Sequence, residues 1–342
     1  MRRFRKNNRP EHIVPQPGLQ GGDPGTVQNV DQLSVEEDLE GKTDKSYSQG
    51  QLVLRRFLRH RGAMVSLGVL VFITLLAYTS IGFGPFPGWW KHDYTLAGTV
   101  TDGGRPSLSL WPPQIGDQPF GQDNVGKDYF ALVMRGTQRS LIIAFVVGIV
   151  STIIGTAIGA AAGYFRGWVE AVLMRLTDLL IVIPLLVLAA VLGQISGGSI
   201  WTLALMLGIV TWTGLARLVR GEVLSLRERE FVAAARAVGT SPLRIIVKHI
   251  LPNTLGTIIV SATLAIASAI LLETSLSFLG FGVDAPDTSL GVLINTYQAS
   301  FTSRPWLFWW PGIFILGIAL SVNFIGDGLR DAFDPRQNRN KD

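Results

Sequence analysis

"REREFVAAARAVGTSPLRIIVKHILPN", residues 227–253, is a charged, helix-prone stretch set between two strongly apolar segments. Residues 230–238 predict one short helix with Ala233, Ala234 and Ala237 on a common face, because positions three and four apart are neighbours on a helix. Gly239 is placed to end it in a left-handed conformation, and Ser241 followed by Pro242 is a cap and first-turn pair for a second helix. That helix spaces Leu243, Ile246, Val247 and Ile250 along one apolar face, with Arg244 and Lys248 opposite, and Pro252 is expected to stop it. The result is a bent pair of short helices with a small-residue face and basic edges. A DNA-reading helix-turn-helix is disfavoured because the unit is pinned between apolar segments and could hardly enter a major groove. An amphipathic helix resting on lipid and a socket for a cytoplasmic partner both stay open.

The rest of the chain decides what those apolar segments are. Of 342 residues, 48% are hydrophobic and 16% charged, the balance of a polytopic membrane protein rather than a soluble two-domain one. The formal charge of +5 sits beside apolar runs, as cytoplasmic flanks of membrane spans do, so it does not point to nucleic acid. There is no cysteine, and His12, His60, His92 and His249 are scattered without ligand spacing, so no metal site is expected.

A bilayer core takes about 20 apolar residues per helix, and six runs qualify, near 63–83, 139–164, 171–193, 199–219, 254–281 and 307–329. The fold expected is therefore all-α and polytopic, with six transmembrane helices. Residues 1–50 read as a disordered tail, 51–83 as the first helix with its basic flank, and 84–138 as a polar external insert. Residues 139–330 form the remaining core, and 331–342 a C-terminal tail. Arg55, Arg56, Arg59 and Arg61 before the first span, Arg166 and Arg175 around the next inner loop, and the basic residues of 217–248 place these loops and both termini in the cytoplasm.

Gly155, Gly159 and Gly163 recur every four residues, a spacing that lets two helix backbones approach closely. "GQDNVGKD", residues 121–128, fits the Gly-x4-Gly-Lys part of a phosphate loop, but Asp128 stands where Ser or Thr should hold magnesium. A carboxylate there would repel phosphates, so no ATP site is assigned to this chain. Asp178, Glu273 and Asp327, with Asn323, are polar groups within the apolar runs. Membrane carboxylates are costly unless partnered or hydrated, so each either bonds between helices, with Arg175 or Arg330 as candidate partners, or lines a polar pathway.

Ala233-Ala234-Ala235, Gly239 after three intervening residues, and then Leu251-Pro252 resemble the coupling-helix signature of ABC importer permeases, usually written Glu-Ala-Ala, Gly, Ile-x-Leu-Pro. Ala233 stands in place of the consensus Glu, and His249 in place of Ile. "QPFGQDNVGKDYFALVMRGTQRSL" (118–141), "LLETSLSFLGFGV" (271–283) and "NFIGDGLRDAFDPR" (323–336) are similar to further signatures of the dipeptide and oligopeptide branch. Residues 1–50 and 84–117 fall outside the resemblance.

The resemblance implies a type I importer permease in a bacterial inner membrane, paired with a homologous second permease. It also implies two cytoplasmic ATPase subunits carrying ATP and magnesium, and an external solute-binding protein that delivers peptide. Ala233, Ala234, Ala235, Gly239, Ser241, Pro242, Leu251 and Pro252 would form the ATPase-coupling element, and the chain itself would transport without catalysing. Relatives in this branch also carry nickel, haem or glutathione. A proton-coupled secondary transporter is the alternative class; it would show the same spans and membrane acids but has no need of a docking pair.

Overall fold

The computed structural model describes residues 49–110 and 113–334. The expected tail at 1–50 therefore lies almost wholly outside the described residues, as does 335–342. The described part is mostly helical, with irregular segments at 88–128 and 279–289 and two short antiparallel hairpins, β1 (Gly82–Phe83) with β2 (Phe86–Pro87), and β3 (Leu108–Leu110) with β4 (Pro113–Ile115).

The apolar runs become four long helices and two bent pairs. Helix α1 (Gln49–Arg59) precedes α2 (Arg61–Ser80), the first apolar span. Helix α3 (Tyr129–Phe165) starts ten residues before the expected boundary, so the insert ends at Asp128 instead of residue 138. The cause is a strong N-cap: the Asp128 carboxylate accepts from the Ala131 N–H at 2.7 Å. At about 1.5 Å per residue α3 is ~55 Å long, well beyond a ~30 Å hydrocarbon core.

The expected third span is broken. Helices α4 (Gly167–Val182) and α5 (Leu185–Ser196) meet at 88°. Pro184 lacks an N–H, and Ile183 before it is held in extended backbone at ψ 126°. The fourth run bends more gently, by 41°, between α6 (Ile200–Thr211) and α7 (Thr213–Arg227). Six spans result if each bent pair counts as one. A short helix α8 (Glu230–Ala237) follows, then α9 (Pro242–Phe278), α10 (Leu290–Tyr297) and α11 (Trp306–Phe333).

Helix α3 is the hub, packing on α7, α9, α6 and α2, while α11 packs on α9 and α2. The glycine ladder sits at the α3–α7 contact. A β-carbon on Gly159 would lie 2.5 Å from the Ala216 carbonyl oxygen, and one on Gly163 2.8 Å from that of Arg220. The backbones are therefore as close as the spacing implied.

The insert is tied down by named contacts. Phe120 stacks on Trp310 with centroids 3.8 Å apart, Tyr129 donates to the Leu307 carbonyl, and Arg304 Nη1 donates to the Asp123 carbonyl at 2.7 Å. Within "GQDNVGKD" the Asp123 carboxylate accepts from the backbone N–H groups of Val125 and Lys127 at 2.9 and 2.8 Å and from the Tyr297 hydroxyl at 2.8 Å. Two of the amides a phosphate would need are already taken by the loop's own anion.

Candidate functional site

The bent helix pair of the opening stretch exists, and its bend is closed by a Schellman motif. The Thr240 N–H bonds to the Ala235 carbonyl at 3.0 Å and the Gly239 N–H to that of Arg236 at 2.9 Å, with Gly239 at φ +75°. Nothing lies within 4 Å of where a β-carbon on Gly239 would stand, so the position asks for glycine by backbone conformation alone. Ser241 occupies the N-cap position in extended backbone, without a side-chain cap bond, and Pro242 opens the next helix.

One side of the pair is sunk into a small core. Val232, Ala235, Ile245, Ile246 and Ile250 pack against Ala160 and Tyr164 of α3 and Val219 and Val223 of α7. Fully burying one valine or isoleucine side chain is worth about 1.5–3 kcal/mol, so these contacts fix the pair to the membrane helices. Tyr164 adds cation–π contact, with Arg227 at 5.7 Å and Arg236 at 5.3 Å from its ring. That contact joins residues 63 and 72 positions apart, and no local pattern announces it.

The opposite side is open. Ala233, Ala234, Ala237 and Val238 are exposed, as the small-residue face required, whereas Ala235 is buried. The second helix differs from expectation. Leu243 and Val247 are 71% and 52% exposed and share their side with Arg244 and Lys248, because Ile245 fills the core in their stead. Pro252 does not stop the helix either. A π-helical turn at Ile246–Ile250 widens the backbone ahead of Leu251 and Pro252, and α9 runs on to Phe278 as one helix. Leu251 is half-buried and Pro252 exposed, both inside α9 and not at its end. The second helix of the pair is thereby the start of a 37-residue helix long and apolar enough to cross a membrane.

The membrane carboxylates separate into three cases. Glu273 is fully buried; it accepts from Ser140 Oγ of α3 at 3.0 Å and from Ser277 Oγ at 2.7 Å. Ser140 Oγ in turn accepts from the Leu290 N–H at 3.2 Å, and Ser289 caps α10 through the Val292 N–H at 3.2 Å. Glu273 therefore ties α3, α9 and the start of α10 together. Asp178 pairs with Arg217 of α7 at 2.5 Å, instead of Arg175 or Arg330. Beside it Glu170 accepts from Arg220 Nε at 2.8 Å, so two ion pairs hold α4 on α7. Asp327 is exposed and Asn323 half-buried on α11, away from both groups.

Residues 155–339 match the family of binding-protein-dependent transport system inner membrane components, and residues 48–100 match the N-terminal transmembrane domain of oligopeptide transport permease C. The chain is 42% identical over 290 residues to the oligopeptide transport system permease protein OppC of Mycobacterium tuberculosis, covering 84% of this chain and 95% of the relative. The OppC protein of Haemophilus influenzae is 36% identical over 310 residues, or 91% and 94% of the two chains. A peptide permease protein of Brucella ovis, designated putative, is 37% identical over 287 residues, or 83% and 90%. Among solved structures, an inward-facing crystal form of the MetNI methionine ABC transporter aligns with a TM-score of 0.50 at 19% identity, over 59% of this chain and 97% of that one. At that identity the likeness concerns the fold.

Proposed function

From the premise that this chain belongs to the family of binding-protein-dependent transport system inner membrane components, we propose that it is the permease subunit of an ATP-driven importer of peptides, with residues 230–252 as its ATPase-coupling element. The observation that carries the coupling role is the docking pair itself: an open apolar and basic surface, built without a break into a helix that crosses the membrane. A surface that only rested on lipid has no need of a fixed bend or of continuity with a span.

On this reading the second permease completes the pathway, and two cytoplasmic ATPases bind ATP and magnesium and seat on Ala233, Ala234, Leu243 and Val247. An external binding protein meets the face that carries residues 82–128, and both termini are cytoplasmic in the bacterial inner membrane. ATP-driven closure of the ATPases would move the docking pair as one body and shift the permeases between inward and outward access, through contacts that differ in the two states. The chain transports and the hydrolysis belongs to its partners.

The test is purification followed by transport. Affinity-purified chain should bring ATPase subunits with it in detergent, and proteoliposomes holding the complex should take up peptide with ATP and without a proton gradient. Uptake that follows the proton gradient and ignores ATP would establish the secondary-transporter alternative instead. A reporter fused after residue 110 should be active outside and one after Pro242 inside; the reverse result removes the coupling role.

A further inference from the structure

We propose that α1 is a lipid-reading element whose open face docks on the anionic headgroups of the leaflet from which the first span rises. The proposal rests on the reading of the chain as a membrane permease and on nothing about its cargo.

Helix α2 has 20 residues, a length of ~30 Å at 1.5 Å each, which matches the hydrocarbon core of a bilayer. Arg61, its first residue, thus stands at the boundary, and the eleven residues of α1 fall in the headgroup layer. The two helices are separate. His60 between them has ψ 98°, and its Nδ1 accepts from the Ala63 N–H at 3.0 Å, starting α2 afresh.

The roll of α1 is set by α11. Phe57 packs where a β-carbon on Gly328 would lie 3.5 Å from its ring, Arg56 Nη1 donates to the Asp334 carbonyl at 3.4 Å, and His60 Nε2 lies 3.4 Å from Asp331. Turned away from that contact, Leu54 and Leu58 are 57% and 52% exposed, one helical turn apart. Gln51, Leu54, Arg55, Leu58 and Arg59 line one shallow surface groove. Residues 49–61 hold four arginines (55, 56, 59 and 61) and no acid.

Two leucines beside arginines at this depth match a bilayer boundary on both counts. The leucines enter the acyl region, while the long arginine stems snorkel their guanidinium groups to the phosphates. An anionic surface attracts juxtamembrane basic residues by about fivefold in binding per charge. Charge complementarity and the place of α1, one residue before a membrane span, select lipid over a protein partner.

The chain contains no cysteine, so Leu54→Cys in the full-length protein accepts one fluorophore. In lipid nanodiscs the label should be quenched by acyl-brominated phosphatidylglycerol more than by acyl-brominated phosphatidylcholine at equal mole fraction. Neutralising Arg59→Gln together with Arg61→Gln should reduce that preference by about fivefold per charge. A label open to aqueous iodide and untouched by either brominated lipid puts α1 in water and overturns the proposal. A label shielded from iodide yet untouched by lipid means that protein covers the face, residues 1–48 or a partner, which overturns it too. Equal quenching by both lipids leaves apolar contact without headgroup recognition and refutes the anionic claim. None of these readings depends on uptake, so a failed transport assay and a failed lipid assay are distinct results.

Discussion

Replacing Gly239 tests whether the bend of the docking pair is what couples it. At φ +75° an L-residue carries about 1–2 kcal/mol of steric cost, with a β-branched side chain at the upper end, and Asn is among the few that tolerate the region. No neighbouring atom adds to this, since nothing lies within 4 Å of the new β-carbon. Gly239→Val therefore acts through backbone conformation alone. If the free unit relaxes to negative φ, it loses the bonds from Gly239 N–H to Arg236 and from Thr240 N–H to Ala235, and docking must restore them. Because 1.4 kcal/mol is a factor of ten, Gly239→Val should weaken ATPase binding by about ten- to thirtyfold. Gly239→Asn should stay within a few-fold of the native chain. The assay is titration of purified ATPase subunits against the permease pair in detergent, with ATP-dependent peptide uptake in proteoliposomes measured in parallel. Pairing with the second permease should be unchanged, since the membrane helices are untouched. Equal affinity for the Val and Asn variants, or a loss of permease pairing, would refute the reasoning, as would a larger effect from Arg244→Ala, which removes one exposed charge worth about 0–1 kcal/mol.

Gly159→Val should lower the thermal stability of the complex by the equivalent of about 1–3 kcal/mol, because the backbone carbonyl of Ala216 cannot yield to a side chain 2.5 Å away; Gly68→Ala, with nothing within 4 Å, should leave the melting temperature unchanged or slightly raised. Glu273→Gln keeps an oxygen for one of the two serine hydroxyls and offers its NH2 to the other, which can rotate to accept, and so should support peptide uptake, while Glu273→Ala leaves buried hydroxyls unpaired at about 1–3 kcal/mol and should reduce assembled complex on gel filtration; altered cargo preference in the Gln variant would assign Glu273 to the pathway. Burial pushes the Asp128 carboxyl above its ordinary range, so its contribution favours the fold at pH below that range and is lost as pH rises through the raised value. Asp128→Asn, which can still cap Ala131, should therefore match or exceed native stability at pH 7, and Asp128→Ala should lose about 1 kcal/mol, both read from melting curves.

What the sequence carries most plainly is what depends on neighbours along the chain. Gly239 followed by Ser241 and Pro242 is a local signal, and the Schellman turn stands where those residues place it. The four-residue glycine spacing likewise locates a close helix contact, though not the partner helix, α7. Apolar runs give the number of spans but not their continuity. Pro184 lies inside a run that looks long enough to cross, and only the missing N–H and the extended Ile183 explain the 88° break. The apolar face of the second docking helix was misplaced because spacing alone cannot choose between Leu243 and Ile245. The core formed by Val232, Tyr164 and Val219 makes that choice, from three separate helices.

The same distinction explains the membrane carboxylates, which composition treats alike. Asp178 faces Arg217 and Glu170 faces Arg220, so α4 is held on α7 by charge. Glu273 is surrounded by hydroxyls: it accepts from Ser140 of α3 and from Ser277, and these two hydroxyls in turn reach the Leu290 N–H and Ser289 at the start of α10. Those two arrangements bear on coupling differently. Helix α9 carries Leu243 near one end and Glu273 near the other, 30 residues or ~45 Å apart along one helix. On the proposed coupling reading, a displacement imposed near Leu243 would be delivered to the Ser140–Glu273–Ser289 cluster without crossing a loop. The regular ladder of α9 is interrupted by the π-helical turn at Ile246–Ile250 and next to it by Pro252, which has no N–H to donate, directly beyond the exposed Leu243 and Arg244. On the same reading, any loss of motion should arise there, and not in the long, regular stretch beyond Pro252.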